Sequence, residues 1–157
     1  MASTPELTLW RLVRPEFAPG LDGKGAELWG GRWNSPGLPA VYCAGHLSLA
    51  LLEYFVHIPP AMRRRAAMPE MRAVRLTVPE SAAETLAEAG PQQLADPDWC
   101  RAKGDSWLRQ GAAVALRVPS AVVPEEQNVI LNPRHPNFRS VRLAEVTSFR
   151  FDPRLGG

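Results

Sequence analysis

The stretch that decides the fold begins Gly30-Gly31-Arg32-Trp33-Asn34-Ser35-Pro36-Gly37 and passes through Ala40-Val41-Tyr42-Cys43. It then enters His46-Leu47-Ser48-Leu49-Ala50-Leu51-Leu52-Glu53-Tyr54-Phe55-Val56-His57. It reads as a turn, a buried strand over residues 38–44, and a helix over residues 46–57 that stops before Pro59-Pro60. Within that helix Leu47, Leu49, Ala50, Leu51, Leu52, Tyr54, Phe55 and Val56 leave no polar face. A helix that is apolar all round is expected to be buried. Glu53 is therefore expected in or beside the core, where a carboxylate is rare unless it is paired or working.

Working outward, Leu7 to Arg14 alternates as a strand closed by Pro15. Arg11 shares a face of it with Leu7, Leu9 and Val13, an unusual place for a charge. Residues 16–26 read as a Gly/Pro loop, and residues 27–33 lead into the turn at Asn34-Ser35-Pro36-Gly37. A short basic helix is expected over residues 61–67, then a strand over residues 71–78 before Pro79. Residues 81–89 and 98–110 read as helices, the second with Pro97 near its start and Gly111 as C-cap. Residues 112–118 and 127–131 read as buried strands ending at Pro119-Ser120 and Asn132-Pro133, and residues 145–151 close the fold. About six strands with irregularly interleaved helices make an α+β fold, expected as one domain over residues 1–157.

Composition narrows the function classes. The chain has 157 residues, 45% hydrophobic and 22% charged, as in an ordinary globular protein. Sixteen prolines and twelve glycines argue against a helix bundle. With 18 basic and 16 acidic side chains the net charge is only +2, which carries no strong nucleic-acid or membrane signal. No apolar run approaches membrane-spanning length, and the start Met1-Ala2-Ser3-Thr4-Pro5-Glu6 lacks the regions of a signal peptide. The cytoplasm is the simplest expected compartment. Cys43 and Cys100 make no disulfide scaffold and have no metal-ligand spacing, so no metal is expected.

Several side chains are candidates for chemistry. Glu53 is either a structural acid paired with Arg11 or Arg32, or a catalytic carboxylate on a rigid helix facing developing positive charge, as when a glycosidic bond breaks through an oxocarbenium-like state. His57, one turn on, is within reach of it. Arg32 follows two glycines that permit close backbone approach, and its fork matches phosphate or carboxylate. With Arg11 it suggests two guanidinium groups converging on an anion such as a pyrophosphate. Tyr42 and Trp33 are either core aromatics or rings that meet a flat heterocycle or a ribose. Ser120 lacks the Gly-x-Ser-x-Gly elbow of a nucleophile and fits a ligand-binding hydroxyl better. Asn128 and Asn132 flank the next strand and suit similar work, with turn formation the alternative for Asn132. Arg63-Arg64-Arg65 reads as a solvated helix face before a nucleic-acid contact. The Rossmann fingerprint, P-loop, His-Glu-x-x-His and Cys-x-x-Cys motifs are all absent.

Taken together, Gly30-Gly31-Arg32-Trp33-Asn34 with Val41-Tyr42, Ala50-Leu51-Leu52-Glu53, and Val118-Pro119-Ser120 leading to Asn128-Val129-Ile130-Leu131-Asn132-Pro133 resemble the RES-domain family. The family is named for an arginine, a glutamate and a serine, which would be Arg32, Glu53 and Ser120. The resemblance covers nearly the whole chain, from Leu9-Trp10-Arg11 to Phe151. It implies a compact α+β fold around a central split sheet, like that of ADP-ribosyltransferases, and a toxin of a bacterial type II toxin–antitoxin pair. The implied substrate is NAD+, cleaved at the nicotinamide–ribose bond by hydrolysis or phosphorolysis, with no further cofactor. Transfer of ADP-ribose to a protein, or nucleotide binding without turnover, are the alternatives. On this reading Arg32, Glu53 and Ser120 are the catalytic set. Arg11, Trp33, Asn34, Tyr42 and Asn128 bind the NAD+. The implied partner is a helix-turn-helix (Xre-type) antitoxin, with a homodimer of the toxin as one arrangement inside the complex. No direct DNA or membrane contact is implied.

Overall fold

The computed structural model describes residues 3–63 and 68–156. Seven strands, β1 (Glu6–Val13), β2 (Val41–Ala44), β3 (Met71–Pro79), β4 (Ala83–Thr85), β5 (Ala115–Pro119), β6 (Gln127–Leu131) and β7 (Arg142–Phe149), form one sheet in the order β4-β5-β6-β2-β1-β3-β7. Only β4 and β5 pair in parallel. Five α-helices accompany it among the described residues: α1 (Lys24–Trp29), α2 (Leu47–Phe55), α3 (Pro60–Arg63), α4 (Pro91–Leu94) and α5 (Pro97–Gln110). This is the α+β architecture expected from the sequence.

The two faces of the sheet follow from the period-2 alternation of its strands. On one face Leu7, Leu9 and Arg11 of β1 stand opposite Val78, Leu76 and Val74 of β3. Val41, Cys43, Val129 and Leu131 extend the same apolar layer, which Ala18, Leu21, Phe138 and Val141 cover. On the other face the core divides. Helix α2 packs Leu49 and Ala50 with Leu12, Ala44, Met71, Ala73 and Phe151. Helix α5 packs Cys100, Trp107 and Leu108 with Leu116, Val118 and Ile130. The gap between these clusters becomes the cleft described below.

The sheet is nearly split where the cleft sits. Strands β1 and β3 run in register from Glu6↔Pro79 to Val13↔Arg72, but β1 and β2 pair only at Trp10↔Ala44. Across the opening, Arg11 Nη1 donates to the Tyr42 carbonyl at 2.7 Å. A side chain thus replaces a missing rung of the backbone ladder, satisfying a carbonyl that would otherwise be stranded.

Helix α5 is closed at both ends by local chemistry. The Asp96 carboxylate accepts from the backbone N–H groups of Asp98 and Trp99, Pro97 opens the first turn, and Gly111 takes the left-handed conformation after the last.

Four expectations change. Helix α2 is not buried on all sides: Leu49 and Ala50 are, but Leu52 is 38% and Val56 44% exposed, because nothing covers its outer face among the described residues. Residues 81–89 do not form a helix. A 3₁₀ turn over Glu80–Ala82 leads into β4, whose ladder with Ala115–Arg117 of β5 overrides the weak helical preference of Ala and Glu. The loop after Pro15 contains a 3₁₀ turn and the start of α1. Strand β7 begins earlier, at Arg142, because its pairing with β3 continues past a register shift at Arg75/Leu76 to Thr77. Of the expected helix over residues 61–67, the part up to Arg63 lies in α3, and residues 64–67, with Arg64 and Arg65, lie outside the described residues. No helix among those described is long and apolar enough to cross a membrane.

One contact couples α5 to the segment that precedes β2. A Cβ built on Gly104 would collide with the backbone carbonyl oxygen of Trp33. Gly104→Ala is therefore expected to destabilise the fold by about 1–3 kcal/mol, the usual cost of forcing atoms into a packed contact. Urea denaturation monitored by tryptophan fluorescence measures it.

Candidate active site

The cleft between α2 and α5 has a volume of about 710 Å³, within the size range of small-molecule and cofactor sites. Its floor is the open seam of the sheet, with Trp10 of β1, Tyr42 and Ala44 of β2 and Asn128 of β6. Its α2 wall is Ala50, Glu53 and Tyr54, at the i, i+3, i+4 spacing of a helix face, with His57 just past the end of the helix. Its other wall carries Arg32 and, from α5, Arg101.

Glu53 is held by two donors on one oxygen. Ser120 Oγ donates to Oε1 at 2.6 Å, and Asn128 Nδ2 donates to the same atom at 2.7 Å. The serine has no freedom in this. Its hydroxyl accepts from the N–H groups of Val122 at 3.1 Å and Val123 at 3.0 Å, which leaves its proton for Glu53. Ser120 is 0% exposed. Its place is behind Glu53, and a ligand in the cleft would meet the carboxylate first. Glu53 Oε2 has no hydrogen-bond partner among the described residues. No arginine forms an ion pair with Glu53 there, so the structural-pair alternative finds no support in the geometry. His57 lines the cleft but makes no hydrogen bond to Glu53 among the described residues.

The segment carrying Arg32 is pinned from several sides. Tyr42 donates its hydroxyl proton to Asn34 Oδ1 at 2.6 Å and accepts from the Trp33 backbone N–H at 3.0 Å. Asn34 is 0% exposed, and its amide nitrogen donates to the carbonyls of Ala26 and Leu38. Asp105 of α5, itself buried, accepts from the backbone N–H and hydroxyl of Ser35 at 2.7 and 2.5 Å. Gly31 is required where it is, since a Cβ there would lie 2.6 Å from the Tyr42 hydroxyl. Arg32 itself lines the cleft and donates Nη1 to the Leu94 carbonyl at 2.9 Å.

These contacts redistribute the expected roles. Arg11, Arg32, Tyr42, Glu53 and Asn128 are brought to one cleft. Asn34 is placed in the packing beneath it instead, because both ends of its amide are already engaged. Trp33 is 2% exposed and packs edge-on against Trp99 with ring centroids 6.5 Å apart, so most of its surface belongs to the core. The Tyr42 hydroxyl is likewise committed, and burial raises its pKa well above the ordinary tyrosine value. Asn132 is buried and donates to the Leu108 carbonyl while its Oδ1 accepts from the Arg134 N–H, which makes it a turn residue.

Two participants were missed in the sequence. Arg101, a third arginine in the cleft, looks like any solvated helix position, and its exposed i,i+3 pair with Asp98 at 3.2 Å disguises it further. Asp105 lies within a polar run of α5, and nothing in that run marks it as buried. Cys43 also reaches the cleft, but burial pushes its thiol up to about 11, so it stays protonated near neutral pH and is a poor nucleophile. Among the described residues no three His, Cys, Asp or Glu side chains gather as a metal site.

Tyr42→Phe keeps the ring and removes the hydroxyl, stranding the Trp33 N–H and Asn34 Oδ1. The expected cost is about 1–3 kcal/mol for buried groups left unpaired, with backbone amide exchange accelerating at Trp33 and Asn34. Unchanged stability and exchange would show that the clasp contributes nothing.

Comparison with known proteins identifies the family and the fold. Residues 8–152 match the RES domain family. "Toxin Res" of Yersinia enterocolitica is 36% identical over 158 residues, covering 95% of this chain and 99% of that protein. "Prs ADP-ribosylating toxin" of a Sphingobium species is 33% identical, covering 94% of this chain and 96% of that protein. The fold is shared with the crystal structure of the M. tuberculosis MbcT–MbcA toxin–antitoxin complex, at a TM-score of 0.75 and 20% identity over 98% of this chain and 88% of that one. The chain thus belongs to the RES-domain family, and the relatives just named, matched over nearly their whole lengths, are toxins.

Proposed function

We propose that the protein is the toxin of a toxin–antitoxin pair and that it cleaves NAD+ at the nicotinamide–ribose bond in the cleft between α2 and α5. The observation that carries this reading is the charge layout of the cleft. Arg11, Arg32 and Arg101 line it, and Glu53 is its single carboxylate among the described residues. NAD+ has the complementary layout, two phosphates joined to one pyridinium cation. Arginine forks suit the diphosphate, and a fixed carboxylate suits the cationic end.

In the proposed reaction the bond between the ribose C1′ and the pyridinium nitrogen breaks, and nicotinamide leaves neutral with the bonding pair. The ribosyl fragment takes on oxocarbenium character, which the Glu53 carboxylate stabilises. An acceptor oxygen then bonds to C1′ and passes its proton, where it carries one, to solvent. Because the leaving group departs uncharged, no strong general acid is required. Ser120 and Asn128 act on this step by fixing the Glu53 carboxylate, which therefore does not have to reorganise as charge develops. Arg32 and Arg11 hold the diphosphate, Tyr42 and Trp33 form the wall beside the ribose and ring, and Asn34 keeps the Arg32 segment in place.

The acceptor is water or phosphate on the leading reading. A protein acceptor is the second, favoured by the similarity to the Sphingobium ADP-ribosylating toxin. Likeness to a toxin held in a complex with its antitoxin supports an antitoxin as partner. We assign that partner a helix-turn-helix (Xre-type) fold, and place the pair in the cytoplasm.

Purified protein incubated with NAD+, with and without phosphate and with candidate protein acceptors, should release nicotinamide. Absence of release at high enzyme concentration sinks the proposal, a phosphate requirement identifies a phosphorylase, and label on protein identifies the transferase. Glu53→Gln should retain its thermal transition and lose about a hundred- to a thousandfold in kcat, as when a charge-stabilising group is removed. Ser120→Ala should cost about tenfold to a hundredfold, the effect of a small misplacement. A Ser120→Ala variant as inactive as Glu53→Gln would instead argue that the serine meets substrate.

A further inference from the structure

Asn128 has a polar atom that its bond to Glu53 does not use. Its Nδ2 donates to Glu53 Oε1 at 2.7 Å, while its Oδ1 is buried and has no hydrogen-bond partner among the described residues. The assignment of the two amide atoms is fixed by chemistry. Exchanging them would set an acceptor against the carboxylate oxygen at that distance. Buried acceptors without a partner are uncommon and costly, and this one belongs to a residue lining the cleft. In the β2–β6 ladder Asn128 stands opposite Ala44, itself opposite Trp10, and all three line the cleft floor.

We infer that Asn128 Oδ1 accepts a hydrogen bond from a hydroxyl of the nicotinamide ribose, and that this contact makes the cleft specific for ribosyl over deoxyribosyl substrates. This rests on the NAD+ reading given above. Two acceptors without partners, Glu53 Oε2 and Asn128 Oδ1, belong to side chains joined by a hydrogen bond. Vicinal ribose hydroxyls present two donors on adjacent carbons, one for each. A substrate lacking the hydroxyl leaves Asn128 Oδ1 unsatisfied. Sites built to bond a substrate hydroxyl reject analogues without it for this reason.

The test compares kcat/KM for NAD+ with that for its 2′-deoxy and 3′-deoxy nicotinamide-ribose analogues, in wild type, Asn128→Leu, Asn128→Ser and Ser120→Ala. Wild type should disfavour at least one deoxy analogue by about five- to 150-fold, the ratio expected for a stranded buried acceptor. That discrimination should collapse in Asn128→Leu and Asn128→Ser. It should persist in Ser120→Ala, which also loosens Glu53 but leaves Asn128 Oδ1 intact. Equal collapse in Ser120→Ala would mean that Asn128 only positions Glu53, and overturns the inference. So would a result in which Asn128→Leu keeps the deoxy discrimination but relieves rejection of an analogue with acetyl in place of the nicotinamide carboxamide, which would move the contact to the base. Calorimetric binding of ADP-ribose and its deoxy counterpart gives a readout without turnover. NAD+ cleavage with no deoxy discrimination removes this inference alone. Loss of both NAD+ cleavage and ADP-ribose binding removes the parent reading with it.

Discussion

The arrangement of this protein depends on a sheet that is held open. Strands β1 and β2 meet at a single residue pair, and the guanidinium of Arg11 spans the opening to the Tyr42 carbonyl. Opening a sheet ordinarily strands backbone donors and acceptors, a cost comparable to lost hydrogen bonds. Arg11 offsets part of that cost with a charge-assisted bond, and it is itself among the residues that line the cleft the opening creates. Closing the seam with ordinary ladder pairing would remove the floor on which Tyr42, Ala44 and Asn128 sit.

Around that seam the protein builds its polar groups in tiers. Glu53 faces the cleft on a helix whose next layers are sheet and core. Behind it stand Ser120 and Asn128, and behind Ser120 the backbone amides of Val122 and Val123. The Arg32 segment has an equivalent support in Tyr42, Asn34 and Asp105. In both cases a group facing solvent is fixed by groups that are not. Such preorganisation reduces the rearrangement needed when a charged ligand or transition state arrives.

The β elements were legible because alternation and flanking prolines are local signals, as in Leu7 to Arg14 and Met71 to Val78. Helix α5 announced itself by Pro97 and Gly111. The expected helix over residues 81–89 failed because Ala and Glu carry only a weak preference, which the ladder of β5 overrode. The burial of α2 was overestimated because composition reports how apolar a helix is, and packing decides which side is covered. Arg32, Glu53, Tyr42 and Asn128 stood out as polar groups at apolar places or beside glycines. Arg101 and Asp105 did not, since their helix is mostly polar and periodicity gives no sign of which polar residue turns inward.

Six of the seven strands, the polar anomalies in an apolar setting and the membership of the RES family could be read from the sequence, because each is carried by nearest neighbours or by a pattern of types. Only the tertiary structure decided which partner each anomaly takes. It joined Glu53 to Ser120 and Asn128 across 67 and 75 residues of chain, and it separated Glu53 from pairing with Arg32, which bonds the Leu94 carbonyl instead. It also withdrew Asn34 from the surface and brought Arg101 to it. Hydrogen-bond partners are chosen by geometry over distances that a chain does not encode locally. A residue's type limits what it can do, and the fold alone determines which groups come within reach.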